Sequence, residues 1–443
     1  MLKILMIYNS VAPINTCGSI PNTKVLKYLV ENDVDITLIT CKPMSNNALD
    51  YSLIPNNWDK VRRFDIYHSR LFLKTLGAER ERITNNGVKL KIKAETRPFR
   101  SIITHAIKDC FFRLYRIDWM YMAKKTVKKE LKNEKFDLVF SSYPSSGAHF
   151  IAQYLMRKGY ADKWIADFRD PMYYEHHDSH GVKSAKKMQH RFEKAADHIT
   201  VVSEGAKSKF LFDDVPPEKI TYIPNGYDPD DFSNEKRLNN TEEQKMRFFY
   251  AGTLYYGKRD LTPLLKAVRE LADEGQIDIS KVQFEYAGNE WAVMEQFAKE
   301  QSVISNCVNY GYVTREKVME IMSEIDCSIV CSHNTKTDQG VVTGKIFELL
   351  LVEKPVVTII NGDLPNSELG KIARQCNAGI VYEEANSQKD YEELKKWIKS
   401  AYDEKMQNGK ITSKIDKAER EKYTYENITN ELFELMCNIT GKS

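Results

Sequence analysis

Short apolar runs alternate along the chain with longer stretches that carry apolar residues at helical spacing. Runs rich in β-branched residues, separated by helical patterns, indicate buried parallel strands joined by crossover helices. The pattern restarts after a polar, Pro- and Gly-bearing stretch, so the sequence predicts an α/β protein with one parallel sheet in each half. The apolar runs occupy residues 3–8, 35–40, 137–142, 198–202, 247–251, 282–287, 327–331 and 355–360.

A polar loop with a glycine, a short apolar helix and a buried strand are predicted in succession between residues 338 and 360. The helix carries two charges, Lys345 and Glu348, whose spacing of three places them on one face at its first turns. A surface ion pair would explain that spacing alone. However, a glycine-bearing loop that enters a helix N-terminus in an α/β pattern is where phosphate and ribose groups are held.

A second glycine loop follows the first predicted strand of the second half. It begins with Gly252 and Thr253, and Lys258 and Arg259 precede the next helix. Backbone N–H groups, helix dipole and side-chain charge would all favour an anion here, which is a phosphate site in outline. Gly18, ahead of the first helix, could also let the backbone approach a phosphate, although an ordinary turn explains a single glycine as well.

Candidates for contact with a second ligand follow two strands of the first half. Tyr143 lies in a hydroxyl-rich turn, and His149, in the next helix, could contact a substrate or be structural. Further along, Asp167 and Asp170 flank Arg169 directly after a strand. We expect one carboxylate to pair with Arg169 and the other, Asp170, to face the crevice as an acceptor ligand or acid/base group.

Length, charge and cysteine content restrict the class of protein. A chain of 443 residues with 42% hydrophobic residues suits two cores. The 65 basic and 62 acidic residues nearly balance, which predicts no nucleic-acid partner. The beginning of the chain does not resemble a signal peptide, no run is long enough to span a bilayer, and the cysteines are scattered. We therefore expect a cytoplasmic protein with reduced thiols.

A histidine-rich stretch raises the question of a metal site. His176, His177 and His180 with Asp178 contain zinc-ligating side chains. Their spacing matches neither a helical His pair with Glu nor a zinc finger, and a mobile loop is the preferred interpretation. No metal site is predicted.

Residues 89–135 combine a local basic excess with aromatic residues. The segment contains fourteen Lys and Arg against five Asp and Glu, interleaved with Phe, Tyr and Trp. Such a segment could lie on an anionic membrane surface or near an anionic lipid-linked substrate. It could equally be the solvated basic face of ordinary helices whose aromatics are core.

Four short motifs follow one another along the chain. They are Asp-Phe-Arg-Asp-Pro at 167–171, Ile-Pro-Asn-Gly-Tyr-Asp at 223–228, Tyr-Ala-Gly-Thr-Leu at 250–254, and Gly-Lys-Ile-Phe-Glu at 344–348 followed by Lys354-Pro355. In this order and spacing they resemble the motifs of the retaining nucleotide-sugar glycosyltransferases of family 4. The resemblance covers nearly the whole chain and implies a GT-B architecture, in which two Rossmann-like domains with parallel sheets face a central cleft. It implies an acceptor-binding domain at 1–228, a donor-binding domain at 229–424 and a C-terminal helix at 425–443 that returns to the first domain.

The resemblance also implies roles for individual residues. Glu348 is similar to the carboxylate that holds the donor ribose, and Arg259 to the phosphate-binding cation. Lys345 would assist at the diphosphate, with Gly18 and the backbone around Val342 and Thr343 close to the same group. Fixed cations and a helix N-terminus can stabilise a leaving diphosphate, so no metal or other cofactor is expected. The candidate catalytic residues are Asp170, Arg259 and Lys345.

One position departs from the family's pattern. A second glutamate, seven intervening residues before the ribose-binding one, is replaced here by Gly340. The departure puts any role of that carboxylate in doubt and favours retention without a side-chain nucleophile. The acceptor would then attack on the same face while the leaving phosphate takes its proton.

These inferences predict a retaining glycosyltransferase that moves a sugar from a nucleotide-diphosphate-sugar donor to a glycan or lipid-linked acceptor. The expected setting is cell-surface polysaccharide or glycoconjugate synthesis at the inner membrane face. Two alternatives remain open. The first is a GT-B sugar-nucleotide epimerase, and the second is a non-catalytic nucleotide-sugar-binding partner of another transferase.

Overall fold

The structure is a computed structural model, and it describes residues 1–43, 49–72, 98–173, 179–208, 210, 214–232 and 245–442. The side chains of 98–112 and 179–180 are not described. Three histidine-stretch positions, 176–178, lie outside the described residues, as do residues 89–97 of the basic segment and most of the polar run that ends at residue 245.

The first sheet has seven parallel strands in the order β3-β2-β1-β4-β5-β6-β7. The interior strand β1 is almost completely buried, with Ile4 paired to Ile36 on one side and to Leu138 on the other. Apolar residues therefore face both layers of helices, as expected of a parallel sheet. The strands are Leu2–Tyr8 (β1), Val34–Cys41 (β2), Arg62–Ile66 (β3), Phe136–Tyr143 (β4), Ala161–Phe168 (β5), His198–Val201 (β6) and Ile220–Tyr222 (β7).

The second sheet has six parallel strands in the order β10-β9-β8-β11-β12-β13. Both sheets reverse their strand order next to the first strand of the unit, so a crevice opens at the carboxyl ends of the strands in each. The predicted α/β class with two parallel sheets is confirmed. The strands are Met246–Ala251 (β8), Val282–Ala287 (β9), Cys307–Gly311 (β10), Cys327–His333 (β11), Val356–Asn361 (β12) and Gly379–Glu383 (β13).

Helices cover both sheets. Those of the first half are Ser19–Leu29 (α1), Pro98–Glu130 (α2), Ser146–Arg157 (α3), Ser179–Ala195 (α4) and Glu204–Lys207 (α5). Those of the second half are Thr262–Asp273 (α6), Trp291–Glu300 (α7), Arg315–Glu324 (α8), Lys345–Val352 (α9), Glu368–Gln375 (α10), Ser387–Asn408 (α11), Lys417–Glu421 (α12) and Tyr425–Thr440 (α13).

The last helix, α13, packs on the first half of the molecule. Its buried side chains Ile428, Leu432 and Met436 share a core with Leu26 and Leu29 of α1. Their spacing of four places them on one face of α13, and this apolar face is the one that packs on the first half. The chain thus crosses between the two halves twice, once before β8 and once before α13.

The two crossings are hydrogen-bonded to each other. Tyr227 N donates to Tyr423 O at 3.0 Å, and Tyr425 N donates to Tyr227 O at 2.9 Å. Gly226 lies so close to this pairing that a Cβ there would overlap Tyr423 O. A side chain at residue 226 would therefore separate the crossings.

A buried charge cluster lies beside the first crossing. The Asp228 carboxylate, which is not exposed, accepts from Lys24 Nζ and Lys27 Nζ, each at 2.7 Å, and from Tyr28 Oη at 2.7 Å. Burial alone would raise the pKa of Asp228, but the two ammonium groups and the phenol outweigh it and lower the pKa to about 2. Helix α1 is thereby fixed to the crossing segment.

Candidate active site

A cavity of about 640 Å³ lies between the two halves. Strand ends and loops from both sheets form its wall, as expected for ligands bound at the carboxyl edges of parallel strands. Five of the residues predicted to bind donor or acceptor line it, namely Arg169, Asp170, Lys258, Arg259 and Val342. The structure thus brings together side chains that are up to 173 positions apart in sequence, from Arg169 to Val342 (342 − 169).

The second-half wall is basic. Arg259 is half-buried, and its guanidinium lies 4.6 Å from the Tyr255 ring, with Nη1 3.4 Å from Thr253 O. Its Nε is buried and has no hydrogen-bond partner. The guanidinium can therefore donate a further hydrogen bond to a ligand anion. Lys258 is exposed beside it.

Lys345 approaches the same loop from α9. Its Nζ donates to Ala251 O, and a Cβ at Gly252, where φ is +140°, would overlap that Nζ. Burial lowers the pKa of Lys345 to about 8, an effect that Glu348 opposes and Arg259 reinforces. Gly252 is therefore needed so that the ammonium group can reach the loop. Lys345 does not itself line the cavity. Its charge interacts with those of Glu348 and Arg259.

Glu348 does not line the cavity, but it is held in a defined orientation. Arg315 Nη2 lies 3.3 Å from Glu348 Oε1 and 3.2 Å from Asp231 Oδ2. Burial lowers the pKa of Arg315, while Glu348 and Asp231 raise it above its ordinary value overall. The carboxylate proposed for ribose binding is about one-third exposed, which leaves it accessible to a ligand.

The two carboxylates of the first-half wall, Asp167 and Asp170, lie in different surroundings. Asp167 is buried and accepts from Ser142 Oγ at 2.6 Å and from Thr200 Oγ1 at 2.8 Å, with Arg169 Nη1 3.9 Å away. Asp170 is exposed and lines the cavity. Asp167 therefore supports the wall and Asp170 faces the ligand space.

Three other predicted residues lie elsewhere in the first half. His149 is completely buried among aromatic rings, with Nδ1 2.8 Å from Ser141 Oγ, and burial lowers its pKa to about 3. It is part of the core and does not reach the cavity, because it occupies the apolar face of α3. Tyr143 lies near Asp170, and burial together with that charge raises its pKa to about 12. Gly18 does not line the cavity, and a Cβ built there would lie 3.8 Å from the Pro144 side chain, an ordinary contact.

Gly340 meets the first half of the molecule directly. Its φ is +71°, and a Cβ there would lie 2.7 Å from both Ala206 N and Gly205 C. Next to it, Glu368 of α10 accepts from the N–H groups of Glu204 (2.8 Å) and Gly205 (2.9 Å) at the start of α5. The two halves are thus in backbone contact at one end of the cavity. The position where the family's pattern has a glutamate has no room for a side chain in this arrangement.

The sequence analysis did not single out two further side chains on the cavity wall. His333, at the end of β11, has its Nε2 2.8 Å from Asp338 Oδ2. A tight turn fixes that carboxylate, because Asp338 N donates to Thr335 O at 3.1 Å and Thr335 N to Asp338 O at 3.4 Å. Their position at the end of a buried strand was the available signal.

A second polar cluster lies outside the cavity. It contains a Cys–His–Asp series of contacts, as the active sites of enzymes with a cysteine nucleophile do. Cys41 Sγ lies 3.4 Å from His68 Nε2, and His68 Nδ1 lies 2.8 Å from Asp118 Oδ2. Burial raises the pKa of Cys41 to about 11 and lowers that of His68. A neutral thiol and a neutral imidazole make this a structural link between β2, the segment that follows β3, and α2.

Metal sites and membrane spans were also sought in the described ranges. There, no three His, Cys, Asp or Glu side chains are grouped so that they could hold a metal ion. Within the same ranges, none of the helices has both the length and the apolar composition needed to cross a membrane.

Known proteins resemble the chain in part of its sequence and in its whole fold. Residues 85–231 match the model of Glycosyltransferase Family 4, which confirms the predicted resemblance. No curated protein matches the sequence. A sucrose-phosphate synthase from Thermosynechococcus elongatus superimposes with a TM-score of 0.61 at 12% identity, covering 100% of each chain.

Two further solved structures share the architecture. HepE from Anabaena, in complex with UDP and glucose, has a TM-score of 0.59 at 12% identity, over 99% of this chain and 100% of that one. TarM from S. aureus, in complex with UDP among other ligands, has a TM-score of 0.55 at 11% identity, over 98% of this chain and 100% of that one. At such identities the likeness shows the fold, and the GT-B prediction is confirmed.

Proposed function

We propose that this protein is a retaining glycosyltransferase that transfers a sugar from a nucleoside-diphosphate-sugar donor to a glycan or lipid-linked acceptor. One observation carries the proposal. A single cavity between two parallel-sheet units has a basic wall with Arg259 on the second-half side and a carboxylate, Asp170, on the first-half side. A donor diphosphate suits the former wall and an acceptor hydroxyl suits the latter.

On this proposal the second half binds the donor. Arg259 and Lys345, with the N-terminus of α9, stabilise the negative charge that develops on the leaving diphosphate. Glu348, oriented by Arg315, accepts hydrogen bonds from the ribose hydroxyls. The absence of a side chain at Gly340 supports a same-face attack, in which the leaving phosphate takes the acceptor proton and no side chain acts as nucleophile.

The solved structures suggest the first donor to test. HepE is described in complex with UDP-glucose and TarM in complex with UDP. WaaB, another structure of this fold, is described as a lipopolysaccharide outer core galactosyltransferase. These descriptions support UDP-hexoses as initial donors and a cell-surface glycan as the acceptor class.

The proposal is tested with the purified full-length chain and a panel of nucleotide sugars. We expect at least one donor to raise the thermal midpoint, since a ligand that binds the folded state stabilises it. Transfer to an acceptor, or slow hydrolysis of that donor, would support a transferase. An isomerised sugar from donor alone would favour the epimerase, and binding without turnover would favour the non-catalytic partner.

Glu348→Ala is expected to weaken nucleoside-diphosphate binding about tenfold. The carboxylate would otherwise accept charge-assisted hydrogen bonds from the ribose hydroxyls, and a net loss of about 1.5 kcal/mol at this partly exposed position corresponds to about tenfold in affinity. Calorimetry with UDP, or with the diphosphate of the donor found in the panel, measures the change. Glu320→Ala on the exposed face of α8 is the matched control. Unchanged affinity for Glu348→Ala would remove the ribose assignment.

We also propose that α2 places the enzyme on an anionic membrane surface. Its aromatic and apolar residues divide between core and solvent, since Trp119 and Val127 are buried whereas others are exposed. The exposed residues recur at helical spacing, so they share one face. That face carries Leu114, Ile117 and Tyr121, each more than half exposed, followed by the exposed Lys125 and Lys128, and the exposed Lys132 comes two residues after the helix ends.

The membrane proposal predicts salt-sensitive binding to vesicles that contain anionic lipid. Each lysine near such a surface contributes about 1 kcal/mol, so the double charge reversal Lys125→Glu with Lys128→Glu should reduce binding by more than tenfold. Vesicle sedimentation measures it at low and high salt. Lys371→Glu with Lys389→Glu, on exposed sites of the second half, should bind as wild type does. Failure of the wild type to sediment at low salt would contradict the proposal.

A further inference from the structure

The loop that precedes Arg259 has an unfavourable backbone conformation. Tyr255, Tyr256 and Gly257 have φ values of 51°, 56° and 93°, three consecutive residues in the left-handed region. For a non-glycine residue this conformation costs on the order of 1 kcal/mol. Tyr256 is 94% exposed as a residue, so its own packing does not offset that cost. Another part of the molecule must hold the loop in this shape.

Glu290 holds it. One carboxylate accepts hydrogen bonds from three successive backbone N–H groups, those of Leu254 (2.5 Å), Tyr255 (2.9 Å) and Tyr256 (3.1 Å). Hydrogen bonds to a charged acceptor are stronger than neutral ones, and three together outweigh the backbone cost. Glu290 is itself tied to β9, because its N–H donates to Tyr286 Oη at 3.0 Å.

The shape of this loop determines where Arg259 lies. Leu254 O accepts from Arg259 N at 3.0 Å, so the peptide that Glu290 anchors also anchors the arginine backbone. In addition, the left-handed turn places the Tyr255 ring 4.6 Å from the Arg259 guanidinium. Tyr255 and Arg259 both line the cavity, whereas Glu290 does not.

We propose that Glu290 is a positioning residue, which fixes the loop at 254–257 and thereby aims Arg259 at the donor diphosphate. The inference rests on the proposed function. There is one competing interpretation, because successive backbone N–H groups form a nest that binds anions. Glu290 would then occupy the place that a donor phosphate takes. The two interpretations predict opposite effects on donor binding when the carboxylate is removed.

The test combines Glu290→Gln with Arg259→Ala in a double-mutant cycle. We expect Glu290→Gln alone to lower kcat/KM for sugar transfer on the order of tenfold, as a misplaced binding group does. In the Arg259→Ala background it should have little further effect, because there is no guanidinium left to position. Tyr256→Gly should restore part of the activity of Glu290→Gln, since glycine adopts the left-handed conformation without strain.

Two controls separate positioning from general stability. Glu295→Gln, on helix α7, which begins directly after Glu290, should leave transfer unchanged, and thermal unfolding should show that Glu290→Gln is folded. Equal losses from Glu290→Gln in both backgrounds, or tighter donor binding by that variant, would overturn the inference while leaving the proposed function intact. A wild-type protein that binds no nucleotide sugar would overturn both.

Discussion

Arg259→Ala is expected to lower kcat/KM for sugar transfer by about 10²- to 10³-fold, the cost of removing one preorganised group that stabilises developing charge. The guanidinium belongs to the cavity wall, is buried at Nε without a partner, and lies beside the lowered-pKa ammonium of Lys345. Its removal would leave the leaving diphosphate with one fewer fixed cation in a partly dehydrated site.

The measurement is steady-state transfer together with calorimetry for the nucleoside diphosphate. Lys258→Ala should cost less, because Lys258 is exposed and its charge is screened by solvent. Arg269→Ala is the matched control, since Arg269 pairs with Asp273 on the exposed surface of α6. Wild-type kinetics in Arg259→Ala would rule out the phosphate site, even if nucleotide binding elsewhere persisted.

Gly340→Ala is expected to reduce transfer on the order of 100-fold. The added Cβ would lie 2.7 Å from backbone atoms of Gly205 and Ala206, which cannot move aside as a flexible side chain can. The two halves would have to separate at this end of the cavity. A displacement of about 1 Å between donor and acceptor walls is enough for a loss of this size.

A matched control isolates the steric effect from the backbone effect. Gly275 has φ +68° and no heavy atom within 4 Å of a Cβ built there, so Gly275→Ala pays the same left-handed penalty without the contact. Both variants should lose about 1 kcal/mol of stability, but Gly275→Ala should keep its activity. Small-angle scattering should show a more open molecule for Gly340→Ala alone. Full activity in Gly340→Ala would mean that this contact is not required for transfer.

Much of the fold could be predicted from the sequence because its strands are continuous apolar runs. Residues 4–8 and 355–360 are buried on both faces and therefore lack the ambiguity of an amphipathic strand. Edge strands were harder to predict. Arg62–Ile66 and Cys307–Gly311 have half-exposed, mixed sequences, and neither was predicted.

Those residues of the candidate site could be predicted whose position after a strand determines which edge of the sheet they occupy. Lys258, Arg259, Arg169 and Asp170 each follow the end of a strand, and all line the cavity. His149 could not be placed in this way, because its helix has both an apolar and a polar face and sequence position alone did not decide between them.

The supporting residues could not be predicted because their partners are distant in sequence. Glu290 binds a loop 34 to 36 positions earlier, and Glu368 binds backbone 163 and 164 positions earlier. A lone carboxylate at the start of a helix has many possible uses, and only the folded chain shows which backbone groups it meets.

The paired crossings constrain how the molecule can open. If a single segment of chain joined the two halves, each half could twist about that segment as well as bend. The two crossing segments lie side by side, joined by the hydrogen bonds of Tyr227 with Tyr423 and Tyr425. This pairing opposes a twist of one half against the other. The relative motion of the two halves that this pairing still permits is bending about a single axis. On the proposed function, closure of the cleft about this axis would bring Arg169 and Asp170 to the same register against Arg259, so the connection between the two halves would align acceptor with donor.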